Sequence, residues 1–203
     1  MHEAATALLL VDLQVAFCDA DGSMASQGRD IAQMAHAARA CNELASIARS
    51  ASVPVIWTKM QFAPDYSDGG LLIHRIRPNL KRVGALRRGD RDAEISSVLT
   101  IEQADIVIEK PRYSALYGTS LEVQLRSRRV GRIVVAGVTT SMCVDTTVRD
   151  LGQRDFDVLV VRDGCADFAA DRHEAALAAM EFGFARVVSL AAARDALEGR
   201  FDD

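Results

Sequence analysis

Six short apolar runs recur along the chain: ATALLLVD (5–12), VPVIWTKM (53–60), ADIVIEK (104–110), RIVVAGV (132–138), DVLVVRD (157–163) and ARVVSL (185–190). Each is rich in Val, Ile and Leu, and each is continuous rather than alternating. That is the pattern of strands buried on both faces. Helical patterns lie between them. From Asp30 to Ser50, the residues Ile31, Met34, Ala38, Cys41, Leu44, Ala45 and Ala48 form one apolar stripe at three- and four-residue spacing. GTSLEVQLRSRR opens with Thr119 and Glu122 as a capping box and ends in a basic turn. MCVDTTVRDLGQR puts Val144, Val148 and Leu151 on one side, and ADRHEAALAAMEFG runs from a box of Asp171 and Glu174 to a C-cap at Gly183. A short helix, AAARDALEG, closes the pattern.

Strands alternating with helices predict an α/β fold: a parallel sheet with helices on both faces. The stretch from Gln61 to Gln103 breaks the rhythm. It has poor periodicity and turn-rich pieces such as APDYSDGG, and it reads as a lid or an interface loop. No repeat, low-complexity tract or Pro/Gly/Ser-rich linker divides the chain, so residues 1–203 read as one domain.

Charge removes whole classes of partner. A net charge of −4 gives no reason to expect nucleic acid or an anionic membrane. The basic stretch RPNLKRVGALRRGDR is followed closely by acid and reads as a solvated segment or an oligomer contact. No run approaches the ~18 apolar residues of a membrane span. The N-terminus has no basic region ahead of its apolar run, so it reads as a strand and not a signal peptide. Cys18, Cys41, Cys143 and Cys165 are widely spaced, without a C-x-x-C. With no export signal they are expected to be reduced thiols in a cytoplasmic protein.

Ligands of an open α/β sheet bind outside the carboxyl ends of the strands. Asp12 follows the first predicted strand, Lys110 ends the third and Cys143 follows the fourth. Each alone has an ordinary reading: a turn residue, a solvated lysine, a small buried hydrophobe. Together they bring acid, amine and thiol to one edge. A thiol at a helix mouth, beside an ammonium, is expected to have a lowered pKa. Asp12 is placed to take its proton, and unpaired N–H groups at the helix start can hold an oxyanion.

The histidines His2, His36, His74 and His173 form no metal-ligand pattern, so neither metal nor other cofactor is expected. His173 reads as a satisfied helix residue. No G-x-G-x-x-G, Walker A or G-x-S-x-G occurs. Cys41 lies on the apolar stripe, while Cys18 and Cys165 fall near the same strand ends and are open as pocket residues. A redox sensor would also want a reactive thiol, but no resolving cysteine adjoins Cys143.

LLLVDLQVAF, EKPRYSALYGTSLE and VVAGVTTSMCVDTTVRDL resemble, in this order, motifs of the isochorismatase-like cysteine hydrolases. The resemblance covers nearly the whole chain. It implies a three-layer, Rossmann-like α/β/α domain with a six-stranded parallel sheet, and a catalytic triad of Asp12, Lys110 and Cys143. It further implies a cis peptide between Val138 and Thr139, an oxyanion hole from the N–H groups of Thr139 and Cys143, and a homo-oligomer, dimer or tetramer.

The cysteine disfavours the vinyl-ether-cleaving branch. The absence of histidine from WTKMQFAPDYSDGG disfavours metal-containing nicotinamidases. KPRYSALYGT is most similar to the branch of N-carbamoylsarcosine amidohydrolase, biuret hydrolase and ureidoacrylate amidohydrolase. The activity implied is cysteine-dependent cleavage of the C–N bond of a small amide, carbamoyl or ureido compound, through a thioester and with release of ammonia. A vinyl-ether hydrolase or a metal-independent nicotinamidase-like amidase is the alternative. Phe17, Trp57, Phe62 and Tyr113 fall in or beside strand ends and are candidate pocket walls. Gln14 and Thr140 are candidate polar contacts, and Arg75 or Arg77 is a candidate for a substrate carboxylate.

Overall fold

The computed structural model describes residues 5–201. All six apolar runs form strands: β1 (Ala5–Val11), β2 (Val55–Met60), β3 (Ile106–Lys110), β4 (Val130–Val138), β5 (Asp157–Ala166) and β6 (Arg186–Val188). They make one parallel sheet in the order β3-β2-β1-β4-β5-β6. β1 and β4 sit at its centre, and Leu8, Leu9, Leu10, Val134 and Val135 are inaccessible to solvent. That burial on both faces is why their runs are continuously apolar.

Eight α-helical segments accompany the sheet: α1 (Val15–Cys18), α2 (Ser23–Ser26), α3 (Ala32–Ser50), α4 (Pro78–Arg82), α5 (Leu121–Ser127), α6 (Asp145–Gly152), α7 (Ala170–Gly183) and α8 (Leu190–Leu197). α3 and α8 pack together on one face, against β1, β4 and β5. α5, α6 and α7 cover the other face. The chain winds outward from β1 to β3, returns to the centre, and winds outward again from β4 to β6. Right-handed crossovers therefore put the two sets of helices on opposite faces. The reversal leaves a crevice between the carboxyl ends of β1 and β4.

Several local expectations give way. α5 has no capping box: Thr119 Oγ1 donates to Ala115 O (2.6 Å) and accepts from Leu121 N (3.2 Å), while Glu122 pairs with Arg154 (3.1 Å). α7 has none either, because Glu174 reaches Arg162 (2.7 Å). In both cases a long-range arginine outcompetes the local N–H. Gly183 is the last residue of α7 and is followed by Phe184 as the cap. α8, in turn, carries a cap that its pattern did not announce, Ser189 Oγ accepting from Ala192 N (3.2 Å). The helix expected from Met142 begins regularly only at Asp145. Thr140–Val144 forms a π turn ahead of it.

The irregular 61–103 stretch is structured as well. It holds a π turn (Leu72–Ile76), α4 and a 3₁₀ turn (Arg91–Ala93), and it folds back over the carboxyl ends of the strands. Gln14 fastens it there. The Gln14 amide donates to Met60 O (2.9 Å) and Ala93 O (2.7 Å) and accepts from Met60 N (2.9 Å).

Gly137, paired with Val11 at the end of β4, adopts φ +127°. A Cβ at this position would lie 2.2 Å from Val11 O. Both the dihedral and the approach of β1 to β4 require glycine. Gly137→Ala is expected to cost about 2–4 kcal/mol of stability, read as a lowered urea midpoint. An unchanged midpoint would show that the two strand ends can separate.

Candidate active site

Asp12 leaves β1 with φ +52°, a conformation that non-glycine residues seldom adopt. Thr58 of β2 holds it there. The Asp12 N–H donates to Thr58 Oγ1 (3.1 Å), and the Thr58 hydroxyl donates to Asp12 Oδ1 (2.6 Å). The other carboxylate oxygen, Oδ2, lies 2.6 Å from Lys110 Nζ, and both side chains are fully buried. A carboxylate oxygen with one such contact keeps lone-pair capacity for a further proton. The remaining Lys110 protons go to the carbonyls of Arg112 and Tyr113, each 3.0 Å away. Burial opposes the Lys110 charge, but the neighbouring Asp12 carboxylate and Cys143 sulfur outweigh it and raise the pKa. The ammonium therefore stays protonated.

Cys143 sits in the π turn, buried, and interacts with both Asp12 and Lys110. The lowered pKa expected from a helix mouth is not what this environment produces. Burial pushes the thiol well above its ordinary value, the Asp12 carboxylate adds to the rise, and Lys110 only partly offsets it. The resting group is a neutral thiol beside an ion pair. Thr139 O accepts from the N–H groups of Met142 (3.1 Å) and Val144 (3.3 Å), which flank Cys143. The peptide between Val138 and Thr139 is cis.

A clamp from β5 and α7, which the sequence reading passed over, shapes this turn. Asp167 accepts from Ser141 N (2.8 Å) and Phe168 N (2.8 Å), Arg172 donates to Ser141 Oγ (2.7 Å), and Thr140 Oγ1 meets His173 Nδ1 (2.8 Å). On the other side, Ser114 bonds Asp150 and Ala115 N donates to Thr147 Oγ1 (3.0 Å), which ties the loop after β3 to α6. A polar residue inside an apolar run signals such a partner. Thr58 in VIWTKM was legible on that ground. Asp167 sits in a loop and gave no comparable sign.

A cavity of about 50 Å³ opens at the thiol. Phe17, Tyr113, Thr139 and Cys143 line it, as do Met142, Phe168, Met60, Leu80 and the arginines Arg29, Arg77 and Arg172. Four other candidates lie elsewhere. Gln14 spends its amide on backbone, as described. Trp57 donates from Nε1 to Asp105 Oδ2 (2.9 Å), which keeps its ring inside the sheet. Phe62 packs on Tyr66 with ring centroids 5.9 Å apart. Thr140 is fully buried against His173. Arg75 is exposed outside the cavity, Cys165 is buried outside it near Cys41 of α3, and Cys18 lines a separate groove against α3. Arg77, grouped above with a solvated basic stretch, lines the cavity itself. The 61–103 segment is thus a wall of the site. Among the described residues no group of His, Cys, Asp and Glu is arranged to hold a metal ion. No helix there is long and apolar enough to cross a membrane.

Residues 6–192 match the family model described as an isochorismatase domain. The ureidoacrylate amidohydrolase RutB of Methylobacterium radiotolerans is 32% identical over 212 residues, spanning 97% of this chain and 81% of that protein. The crystal structure of a cysteine hydrolase from Pseudomonas syringae pv. phaseolicola superposes with a TM-score of 0.88 at 28% identity, covering 97% of this chain and 93% of that one. N-carbamoylsarcosine amidase from Thermoplasma acidophilum, at 22% identity, shares the fold with a TM-score of 0.72 over 92% of this chain and 96% of its own.

Lys110→Met strands the Asp12 charge in a buried site and is expected to cost about 3–5 kcal/mol. Adding Asp12→Leu to Lys110→Met is expected to recover part of that loss, and urea denaturation of both variants checks it. A double variant no more stable than the single one would show that the charge was not the cause. A second expectation concerns alkaline pH. Burial pushes Cys18 and Cys165 up to about 12, and Cys41 and Cys143 well above the ordinary thiol value. The unfolded chain releases these protons first, so the folded chain binds more protons at high pH. Stability is expected to be fully present below about pH 8.5 and to fall above it, by roughly 1.4 kcal/mol per pH unit for each thiol. A urea midpoint that stays flat through that range would contradict the burial of the thiols.

Proposed function

The chain belongs to the isochorismatase family, and from that membership we propose that it is a cysteine amidohydrolase acting on a small amide, carbamoyl or ureido compound. One observation carries the proposal. A buried thiol interacts with a fully buried Asp12–Lys110 pair at the sheet's crevice. A neutral thiol needs a base at the moment of attack, and Asp12 Oδ2 is that base.

The steps follow from the positions. As Cys143 Sγ bonds to the carbonyl carbon, its proton passes to Asp12. The carbonyl oxygen becomes an oxyanion held by the N–H groups of Thr139 and Cys143. Each such donor contributes roughly 10²–10³ in rate. The C–N bond then breaks, Asp12 returns the proton to the departing nitrogen, and ammonia leaves a thioester. Water attacks the thioester, giving its proton to Asp12. The sulfur departs and recovers that proton. For a ureido substrate the product is a carbamic acid, which decomposes to carbon dioxide and the amine. Lys110 neither gives nor takes a proton in this scheme. Its three hydrogen-bonding directions are filled, and it holds Asp12 in place.

The cavity suits a flat, narrow head group. Its 50 Å³ at the thiol is of the order of an amide or ureido unit. The exposed apolar residues Leu71, Ile76 and Val83 of the long segment and Phe182 of α7 support a homo-oligomer that covers some of this apolar surface.

Ammonia release from small ureido acids and primary amides is expected from the wild type and to fall at least ~10³-fold in Cys143→Ala. Turnover that persists in Cys143→Ala would remove the nucleophile and favour chemistry without a covalent intermediate.

A further inference from the structure

Three side chains from beyond β5 fasten the turn that carries Cys143: Asp167 to Ser141 N, Arg172 to Ser141 Oγ, and His173 to Thr140 (2.8 Å). Of these residue types, histidine is the one whose charge ordinarily changes between about pH 5 and 8. The His173 side chain is only 17% exposed, and Thr140 is fully buried. The Thr140 hydroxyl meets no other hydrogen-bonding group among the described residues.

The direction of that bond follows from burial. A hydroxyl proton inside a protein needs an acceptor, and an imidazole nitrogen that carries its own proton is not one. Thr140 Oγ1 therefore donates, Nδ1 accepts, and the ring proton is assigned to Nε2, on the side of the Glu174 carboxylate (3.9 Å). A proton on Nδ1 would break the contact, or turn the hydroxyl round and leave its proton buried without a partner. The charged groups that act on the ring are Glu174 on α7, Arg162 on β5 and Asp167 in the loop that joins these elements. Glu174 is already paired with Arg162 (2.7 Å). α6 and β6 also pack against α7 and place no charge among these. Burial, aided by Arg162, outweighs the two carboxylates and lowers the pKa of His173, so the ring is neutral at neutral pH.

A change at Thr140 is felt at the nucleophile. Thr139 O accepts from Met142 N and Val144 N, which closes residues 139–144 into one compact turn around Cys143. Thr139, next to Thr140, also supplies an oxyanion donor in the reaction proposed above. We propose that His173 is a positioning residue: its unprotonated Nδ1 holds Thr140, and with it the π turn, in the arrangement from which Cys143 attacks, and a proton on the ring releases that arrangement. His173 does not line the cavity, so it acts through Thr140. The consequence for turnover rests on the amidohydrolase reading, whereas the coupling of ring to turn does not.

Nitrogen NMR of the wild-type imidazole needs no substrate and reads the bond directly. Nδ1 is expected to appear as an unprotonated acceptor and Nε2 as the protonated nitrogen, with a titration midpoint below that of an ordinary histidine. The amide signals of Ser141, Met142, Cys143 and Val144 are expected to follow the same midpoint. In T140V, which removes the hydroxyl and keeps the shape, the midpoint is expected to rise by roughly half a pH unit or more. In H173N the side-chain oxygen stands in for Nδ1 and does not titrate, so the amides are expected to lose that pH dependence. A proton on Nδ1, or turn amides that ignore the ring, would overturn the coupling.

Kinetics reads the consequence, through ammonia release from the fastest of the small ureido acids and primary amides. Wild-type kcat/KM is expected to fall by about tenfold per pH unit below the ring's midpoint, and H173N to stay flat over the same range. At neutral pH, H173L is expected to lose at least ~10-fold, chiefly in kcat, and H173N to recover most of that loss. An acid limb identical in H173N would overturn the positioning role even with the hydrogen bond in place. Coupling of ring to turn by NMR, without ammonia from any substrate, would uphold the positioning of the turn and overturn the amidohydrolase reading. Cys143-dependent turnover whose pH profile ignores His173 would overturn the positioning role and leave the amidohydrolase reading intact.

Discussion

A carboxylate and an ammonium buried side by side are the constraint around which this molecule is arranged. Removing both ions from water is costly, and their mutual attraction offsets that cost only when every remaining proton and lone pair is also placed. The structure meets this condition from several directions. Thr58 on β2 supplies Asp12 with a donor and an acceptor, and the turn after β3 gives Lys110 two carbonyls. That turn is in turn fixed to α6, the helix that follows the nucleophile. The pair therefore couples β1, β2, β3 and α6 through a few polar contacts at one end of the sheet.

The same pair explains why the thiol rests in its neutral form. An ammonium alone would draw the proton off Cys143. An ammonium already matched by a carboxylate does so only weakly, and burial dominates. In the proposed reaction, attack then depends on how the sulfur meets the carbonyl, not on a standing population of thiolate. The clamp of Asp167, Arg172 and His173 on the π turn gains its meaning here, since a nucleophile activated only at the moment of attack depends on position.

Much of this was legible in the sequence because strand burial is written as composition. Doubly buried strands have no polar face, so their runs stand out and their ends can be located. From the ends, Asp12, Lys110 and Cys143 follow. What escaped depends on tertiary competition. Glu122 and Glu174 fit capping boxes but pair with arginines distant in sequence. Trp57 lies within β2 and Phe62 just past it, and an indole hydrogen bond and a ring contact hold them in the interior. Gln14 looks like a free amide until its backbone partners are known. Of the cavity arginines, Arg77 was a candidate from its place in the long segment, whereas Arg29 and Arg172 could not be told from other surface arginines. The thiol's protonation was misjudged because the helix mouth is a local signal, whereas desolvation belongs to the whole fold.

The long wall segment contributes none of Asp12, Lys110 and Cys143, yet it supplies Arg77, Leu80 and Leu86 to the cavity. One of its anchors at the strand ends, Gln14, grips it through the Ala93 carbonyl, a contact indifferent to the segment's side chains. Reaction and recognition are thereby inherited on different parts of the chain. Mutation can rewrite the segment, or change its length, without disturbing the buried ions beneath it. Such an architecture lets one hydrolytic apparatus be passed among descendants that differ in what they admit.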